Sequence, residues 1–188
     1  MPRVAALLAA GAGSRFEGRE HKLLALLHGR PVWEWALQQV QAADFDHVIV
    51  VTGRAELPWP GRTVLRHNDA WATGQASSLQ VAVQAARELG AHAVTVGLAD
   101  QPFVTAAAWR AVADAPADAR IVIATYDGVP GPNPVRLHQE VWPALPTAGD
   151  MGARDVIRDH PEWVHPVACV GSVADIDTLE DLDRWNHC

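Results

Sequence analysis

The run Val4-Ala-Ala-Leu-Leu8 constrains the fold more than any other stretch of the chain. It is apolar at every position with no polar alternation, the mark of a strand covered on both faces. Such a strand needs layers above and below it. The rest of the chain repeats the theme. His47–Val51 and Ala93–Leu98 read as buried strands, Thr63–Arg66 as a weaker one, and Arg120–Thr125 and Val164–Val170 as later ones. Helices fall between them. Pro31–Val40 carries its proline in the first turn, and Ser77–Leu89 stops at Gly90. Thr105 caps a helix running to about Ala115, and Thr178–Trp185 closes the chain. Gly128–Pro134 reads as a Pro/Gly loop before a short strand at Val135–Leu137, with helices near Gln139–Leu145 and Gly152–Asp159. This alternation predicts a three-layer α/β/α architecture around a mostly parallel, twisted sheet, built as a single domain of 188 residues. Ligands bind such sheets at the carboxyl ends of the strands, so residues just after strands come under scrutiny first.

The formal net charge is −7, which argues against nucleic-acid binding through a broad basic face. No apolar run reaches membrane-spanning length, and the N-terminal run leads into Gly and Arg, not into a cleavage site. The expected location is therefore cytoplasmic, with no membrane partner. The two cysteines, Cys169 and Cys188, lack metal-ligand or redox spacing, and the nine histidines show no H-x-x-x-H or H-E-x-x-H pattern. An acidic chain that binds a polyanion must supply locally grouped cations or a metal.

The first strand ends in Gly11 and Gly13, followed by Arg15, Arg19 and Lys22. Glycines let a backbone approach a phosphate closely, and their N–H groups can form an anion nest. The dinucleotide fingerprint fails, because the third glycine, Gly18, comes two positions late and the second strand ends in Thr52-Gly53 without an acid. The P-loop fails as well, since Arg19 and Glu20 follow Gly18 where Lys and Ser/Thr belong. A plain strand-to-helix turn is the alternative, but three cations after the glycines favour phosphate binding.

Leu8-Ala-Ala-Gly-Ala-Gly-Ser-Arg-Phe16 with its following lysine resembles the signature loop of MobA-like nucleotidyltransferases, in particular the branch containing molybdenum cofactor cytidylyltransferase. Further segments match in the family's order: His67-Asn68, Gly74 and Ser78, Leu98-Ala-Asp-Gln-Pro-Phe103, Gly149-Asp-Met-Gly-Ala-Arg154, and Asp175-Ile-Asp-Thr-Leu-Glu-Asp-Leu182. The resemblance covers nearly the whole chain and implies a Rossmann-like nucleotidyltransferase fold. It implies transfer of a nucleoside monophosphate, CMP from CTP, onto a phosphate-bearing acceptor, molybdenum cofactor, with a molybdoenzyme as a further partner. Other readings stay open: GTP or a sugar phosphate as substrate, or a non-catalytic nucleotide- or cofactor-delivery module.

By this resemblance Leu8, Ala9, Ala10, Gly11, Gly13 and Ser14 cradle the nucleotide with Asn68, Gly74 and Ser78, while Arg15 and Lys22 clamp its phosphates. Asp100, just past a strand, is read as a ligand for Mg²⁺ or Mn²⁺ and a catalytic residue with Arg15 and Lys22; a turn before Pro102 is its ordinary alternative. On the residues alone, Asp177-Thr-Leu-Glu180 favours a helix-capping box, whereas the resemblance makes Asp177 the second metal ligand and leaves Asp175 supporting or exposed. Asp150 and Arg154, spaced for an i, i+4 ion pair, are implied to contact the acceptor, as is Asn133, which stands where the family tends to have His. The Glu17–His21 stretch lengthens the loop relative to common members and reads as a lip on the pocket, with His21 in solvent. Trp71 is a candidate flank for the base.

Overall fold

The structure, a computed structural model, describes residues 1–18, 20–58, 61 and 63–187, so the expectations for Arg19 and Cys188 lie outside the described residues. A seven-stranded sheet forms the middle layer in the order β5-β4-β1-β6-β8-β7-β9. Its strands are β1 (Val4–Ala9), β4 (His47–Thr52), β5 (Val64–His67), β6 (Ala93–Leu98), β7 (Ile121–Tyr126), β8 (Val129–His138) and β9 (Val164–Ala168). Strand β1 is parallel to both β4 and β6, and β5 and β9 extend the parallel pairing at the edges. Within this sheet, among the described residues, β8 alone runs antiparallel to both its neighbours.

The apolar run divides its side chains by the period of two that a strand imposes. Val4, Ala6 and Leu8 face one core with Leu79, Ala82 and Val83 of α2 (Gln75–Glu88). Ala5, Leu7 and Ala9 face the other with Trp33, Leu37 and Val40 of α1 (Val32–Gln41) and Trp109 of α3 (Ala106–Ala113). Every residue of β1 is buried, as a two-sided strand requires. Gly90 takes φ +73° beyond α2, and Thr105 accepts a hydrogen bond from the Ala108 amide at the start of α3, so both helix boundaries are set as expected. Chain order reverses between β1 and β6, which opens a crevice at their carboxyl ends.

Several local expectations need correction. Val129–His138 is one strand, not a loop followed by a strand. Its proline-rich first half pairs, among the strands, with β7 alone, across a register shift between Ile123 and Thr125, and the ladder to β6 begins at Val135. Proline has no N–H to donate, so two-sided pairing waits until Pro134 is passed. A single 3₁₀ turn, Trp142–Ala144, replaces the helix expected at Gln139–Leu145, where Pro143 and Pro146 oppose a longer run. The next helix, α4 (Arg154–Asp159), starts two residues late, which leaves Asp150 ahead of it. Asp150 and Arg154 therefore make no helical ion pair; Arg158 pairs with Asp155 and Asp159 instead. A small hairpin of β2 (Leu26–Leu27) and β3 (Arg30–Pro31) was not anticipated. Its Leu26 carbonyl and His28 amide bond the Asn186 side chain of α5 (Leu179–Asn186).

Candidate functional site

The glycine loop after β1 and the Asp100 turn after β6 open onto one cleft of about 650 Å³. Leu8, Ala9, Ala10, Gly11, Gly13 and Ser14 line it, together with Arg15 and Lys22. Gly13 sits at φ +62°, a backbone geometry that suits glycine. The amides of Ala12, Gly13 and Ser14 bond no described residue, so they stay available to an anion. Trp71, Gly74, Gln75 and Ser78 form the opposite wall, and Asp150, Met151 and Arg154 close it. That wall is tied together by backbone: Ala76 donates to the Gly149 carbonyl at 2.9 Å and Gly149 donates to the Thr73 carbonyl at 2.8 Å. Gly74 has φ +106°, and a Cβ there would lie 2.5 Å from the Gly149 backbone, so this contact needs glycine.

Two aspartates and a lysine occupy the floor. Lys22 Nζ donates to Asp100 Oδ2 and to Asp177 Oδ1, each at 2.6 Å. Arg15 pairs with Asp177 Oδ2 at 2.6 Å from an exposed position. Burial alone would depress the Lys22 ammonium, but the facing carboxylates overcome it and hold its pKa above the ordinary lysine value. The two aspartates come from distant parts of the chain and are held together by backbone, the Ile176 amide donating to the Asp100 carbonyl at 2.9 Å. Asp100 Oδ1 is buried with no hydrogen-bond partner.

Such an orphaned oxygen is costly unless something binds it. The donor set suits a hard cation: two carboxylates facing one point, open to the cleft on the remaining sides. Mg²⁺ and similar ions accept one or two carboxylates and fill the rest with phosphate oxygens and water. Among the described residues no group of three or more His, Cys, Asp or Glu side chains is placed to enclose a metal, so most ligands would come from substrate and water.

The capping box also resolves differently from the sequence reading. Thr178, not Asp177, is the N-cap of α5, and its partner is Asp181, not Glu180. Thr178 Oγ1 accepts from the Asp181 amide, and Asp181 Oδ2 accepts from the Thr178 amide. The Asp177 carboxylate is therefore free to face Lys22. Asp175 lines the same cleft, where burial and then the nearby Asp177 and Asp100 push its carboxyl above the usual range. The i, i+2 spacing of Asp175 and Asp177 is the sequence signal that two carboxylates lie close together here.

Asn68 and Asn133 stand apart from the cleft lining. Asn68 is buried and donates from its side-chain amide to Ser77 Oγ and Ser78 Oγ, each at 2.9 Å, so it orients Ser78 from behind. Asn133 is buried and donates to Gln101 Oε1 at 2.8 Å. It borders a smaller adjoining cavity shared with Leu8, Gln75, Met151 and Arg154. His21, expected in solvent, lines the main cleft and bonds the Gly11 carbonyl at 2.9 Å. Trp71 also faces the cleft, with the Arg54 guanidinium 6.0 Å from its ring.

Comparisons with known proteins show what the whole chain is similar to. Rv0371c of Mycobacterium tuberculosis superposes with a TM-score of 0.84 at 25% identity, over 100% of this chain and 98% of that one. A second Rv0371c structure, in complex with manganese, gives 0.76 at 25% identity over 100% and 99%. The purine catabolism protein PucB of Bacillus subtilis is 28% identical over 96% of this chain and 94% of its own length. Bifunctional protein GlmU of Zymomonas mobilis is 44% identical over 52 residues, 28% of this chain, and this chain spans only 12% of its length. For the Cutibacterium acnes GlmU that span is 20%. No helix among the described residues is long and apolar enough to cross a membrane. The model of the MobA-like NTP transferase domain matches residues 5–164, from β1 with its glycine loop through the Asp100 floor to the start of β9, and the chain belongs to that family.

Proposed function

We propose that this chain, acting as a single domain, is a divalent-cation-dependent nucleotidyltransferase. It moves a nucleoside monophosphate from a nucleoside triphosphate onto a phosphate-bearing acceptor and releases pyrophosphate. The observation that carries this reading is the floor of the cleft: Asp100 and Asp177 converge on one cation, Lys22, beneath a loop of free amides. Free carboxylates would repel a triphosphate, so a site with this floor suits a triphosphate that arrives with metal. Asp100 and Asp177 would hold that metal, which supplies charge neutralisation and polarisation at the α-phosphate. The manganese complex of Rv0371c supports a divalent ion here; Mg²⁺ is our choice.

With a cation held by the acid pair, Lys22 would be free to face phosphate oxygens, and Arg15 would reach them from the rim. The amides of Ala12 to Ser14 cradle the departing pyrophosphate. The acceptor phosphate is already ionised and needs no strong general base, so the chain's contribution is position and charge stabilisation. Ser78 accepts from Asn68, which leaves its own hydroxyl proton to donate toward a base carbonyl. Asp150 and Arg154 on the far wall face the acceptor.

For the finer assignment we favour CTP and molybdenum cofactor, in the cytoplasm, with a molybdoenzyme receiving the product. The support is Ala9-Ala10-Gly11, which resembles the cytidylyl branch, together with Ser78 in the lining of the cleft. Incubation with Mg²⁺, molybdenum cofactor and each of CTP, GTP, UTP and ATP tests it. We expect a CMP-linked cofactor and pyrophosphate with CTP. Turnover only with GTP, or only with a sugar phosphate, refutes the finer assignment; nucleotide binding with no turnover of any acceptor points to a delivery module instead.

A further inference from the structure

The stretch after the glycines ends in a residue tied to the loop it came from. His21 Nε2 lies 2.9 Å from the Gly11 carbonyl oxygen, and the Leu23 amide lies 3.3 Å from His21 Nδ1. A backbone amide can only donate, so Nδ1 is the bare nitrogen and the single ring proton sits on Nε2. Both ring nitrogens are then satisfied. The ring is anchored from below, because Leu24 donates to the His21 carbonyl at 2.8 Å and Leu23 is buried in the core. A Cβ at Gly13 would come within 3.0 Å of His21 Nε2, so the ring also lies against the second glycine.

The Gly11 carbonyl and the Ala12 N–H belong to one planar peptide unit and point in opposite directions. Whatever holds that carbonyl fixes the aim of that N–H. The Ala12 amide bonds no described residue, and Ala12 lines the cleft. We propose that His21 is a positioning residue for the triphosphate: it pins the Gly11–Ala12 peptide plane and so presets the amide nest that receives the phosphates. The inference rests on the nucleotidyltransferase reading and adds a residue to it. His21 is then a tie on the glycine loop. Burial holds the imidazole below its ordinary pKa, which keeps this neutral tautomer in place near neutrality.

The test measures binding of Mg²⁺ with inorganic triphosphate, with CTP and with cytidine, to wild type, His21→Ala and His21→Gln, alongside ¹⁵N spectra of the imidazole. We expect H21A to lose roughly tenfold for triphosphate and CTP, the size of one hydrogen bond, with cytidine unchanged. H21Q, whose amide nitrogen reaches the same carbonyl, should recover most of the loss, and the spectra should show the proton on Nε2. Unchanged triphosphate binding in H21A, an equal loss for cytidine, or a proton on Nδ1 overturns the proposal. If wild type binds neither triphosphate nor CTP, the nucleotidyltransferase reading falls with it; if it binds both and only H21A fails to weaken, the positioning role alone falls.

Discussion

Replacing Lys22 by Met removes the one cation that both aspartates share while keeping a side chain of similar length. The ammonium bonds Asp100 and Asp177 at 2.6 Å each, in surroundings where lysine and Asp177 are buried. Removing one partner from a buried ion pair costs about 3–5 kcal/mol, because the remaining charge is left uncompensated. Arg15 still reaches Asp177, so the lower end applies, about 3 kcal/mol. For a chain of this size that lowers Tm by roughly 6–12 °C. A divalent cation should then take the vacated position. At a hundredfold excess over Kd, binding to the folded state restores about 2.7 kcal/mol. Thermal unfolding of K22M with and without Mn²⁺, against NaCl of equal ionic strength, reads both numbers. Wild type should shift far less with Mn²⁺ alone, since the metal must first expel the lysine. A K22M protein as stable as wild type, or one that Mn²⁺ does not rescue, would refute the view of the acid pair as a cation site.

Other consequences can be checked separately. Thr178→Ala removes the cap of α5 and should cost about 1 kcal/mol, roughly 2–4 °C in Tm, while nucleotide affinity holds, because Lys22 and Arg15 hold the Asp177 carboxylate and the capping carboxylate of Asp181 reaches only the Asp177 amide. Gly74→Ala forces a Cβ to 2.5 Å from the Gly149 backbone at φ +106°, so calorimetry should show a loss of more than about 1 kcal/mol, with weaker nucleotide binding as the wall opens. The buried His21 has a depressed pKa, so between its folded and unfolded values the unfolded chain binds more protons. Stability should therefore fall as pH drops below about 6.5, through the lowered folded pKa, and H21Q should flatten that slope in urea titrations at pH 7.5 and 5.

The layers and the ligand edge were legible because the physics behind them is local. Val4–Leu8 carries apolar side chains for both faces, and only a two-sided strand uses both. The carboxyl-end rule then put the glycines and Asp100 at one crevice. Features that depend on long-range partners were not legible in this way. Nothing near Asp177 in sequence shows that Ile176 bonds the Asp100 carbonyl, or that Lys22 lies between the two acids. The capping box was detected one residue early, because Asp and Thr both cap helices and only geometry separates Asp177 from Thr178. Motif assigns Asn68 and Asn133 to the ligands, and no local pattern shows that both are buried with their amides turned toward Ser78 and Gln101. His21 looked exposed because its partner, a main-chain carbonyl, leaves no trace in side-chain pattern.

If Asp100 and Asp177 form a metal–triphosphate site for nucleotidyl transfer, pyrophosphate release must depend on Asp100. Asp100→Asn, measured on protein shown to bind CTP, tests this. Wild type should release one pyrophosphate per nucleotide transferred, and D100N should fall by about a hundredfold or more, the scale of losing a group that stabilises transition-state charge. Release from D100N at the wild-type rate would contradict the claim outright.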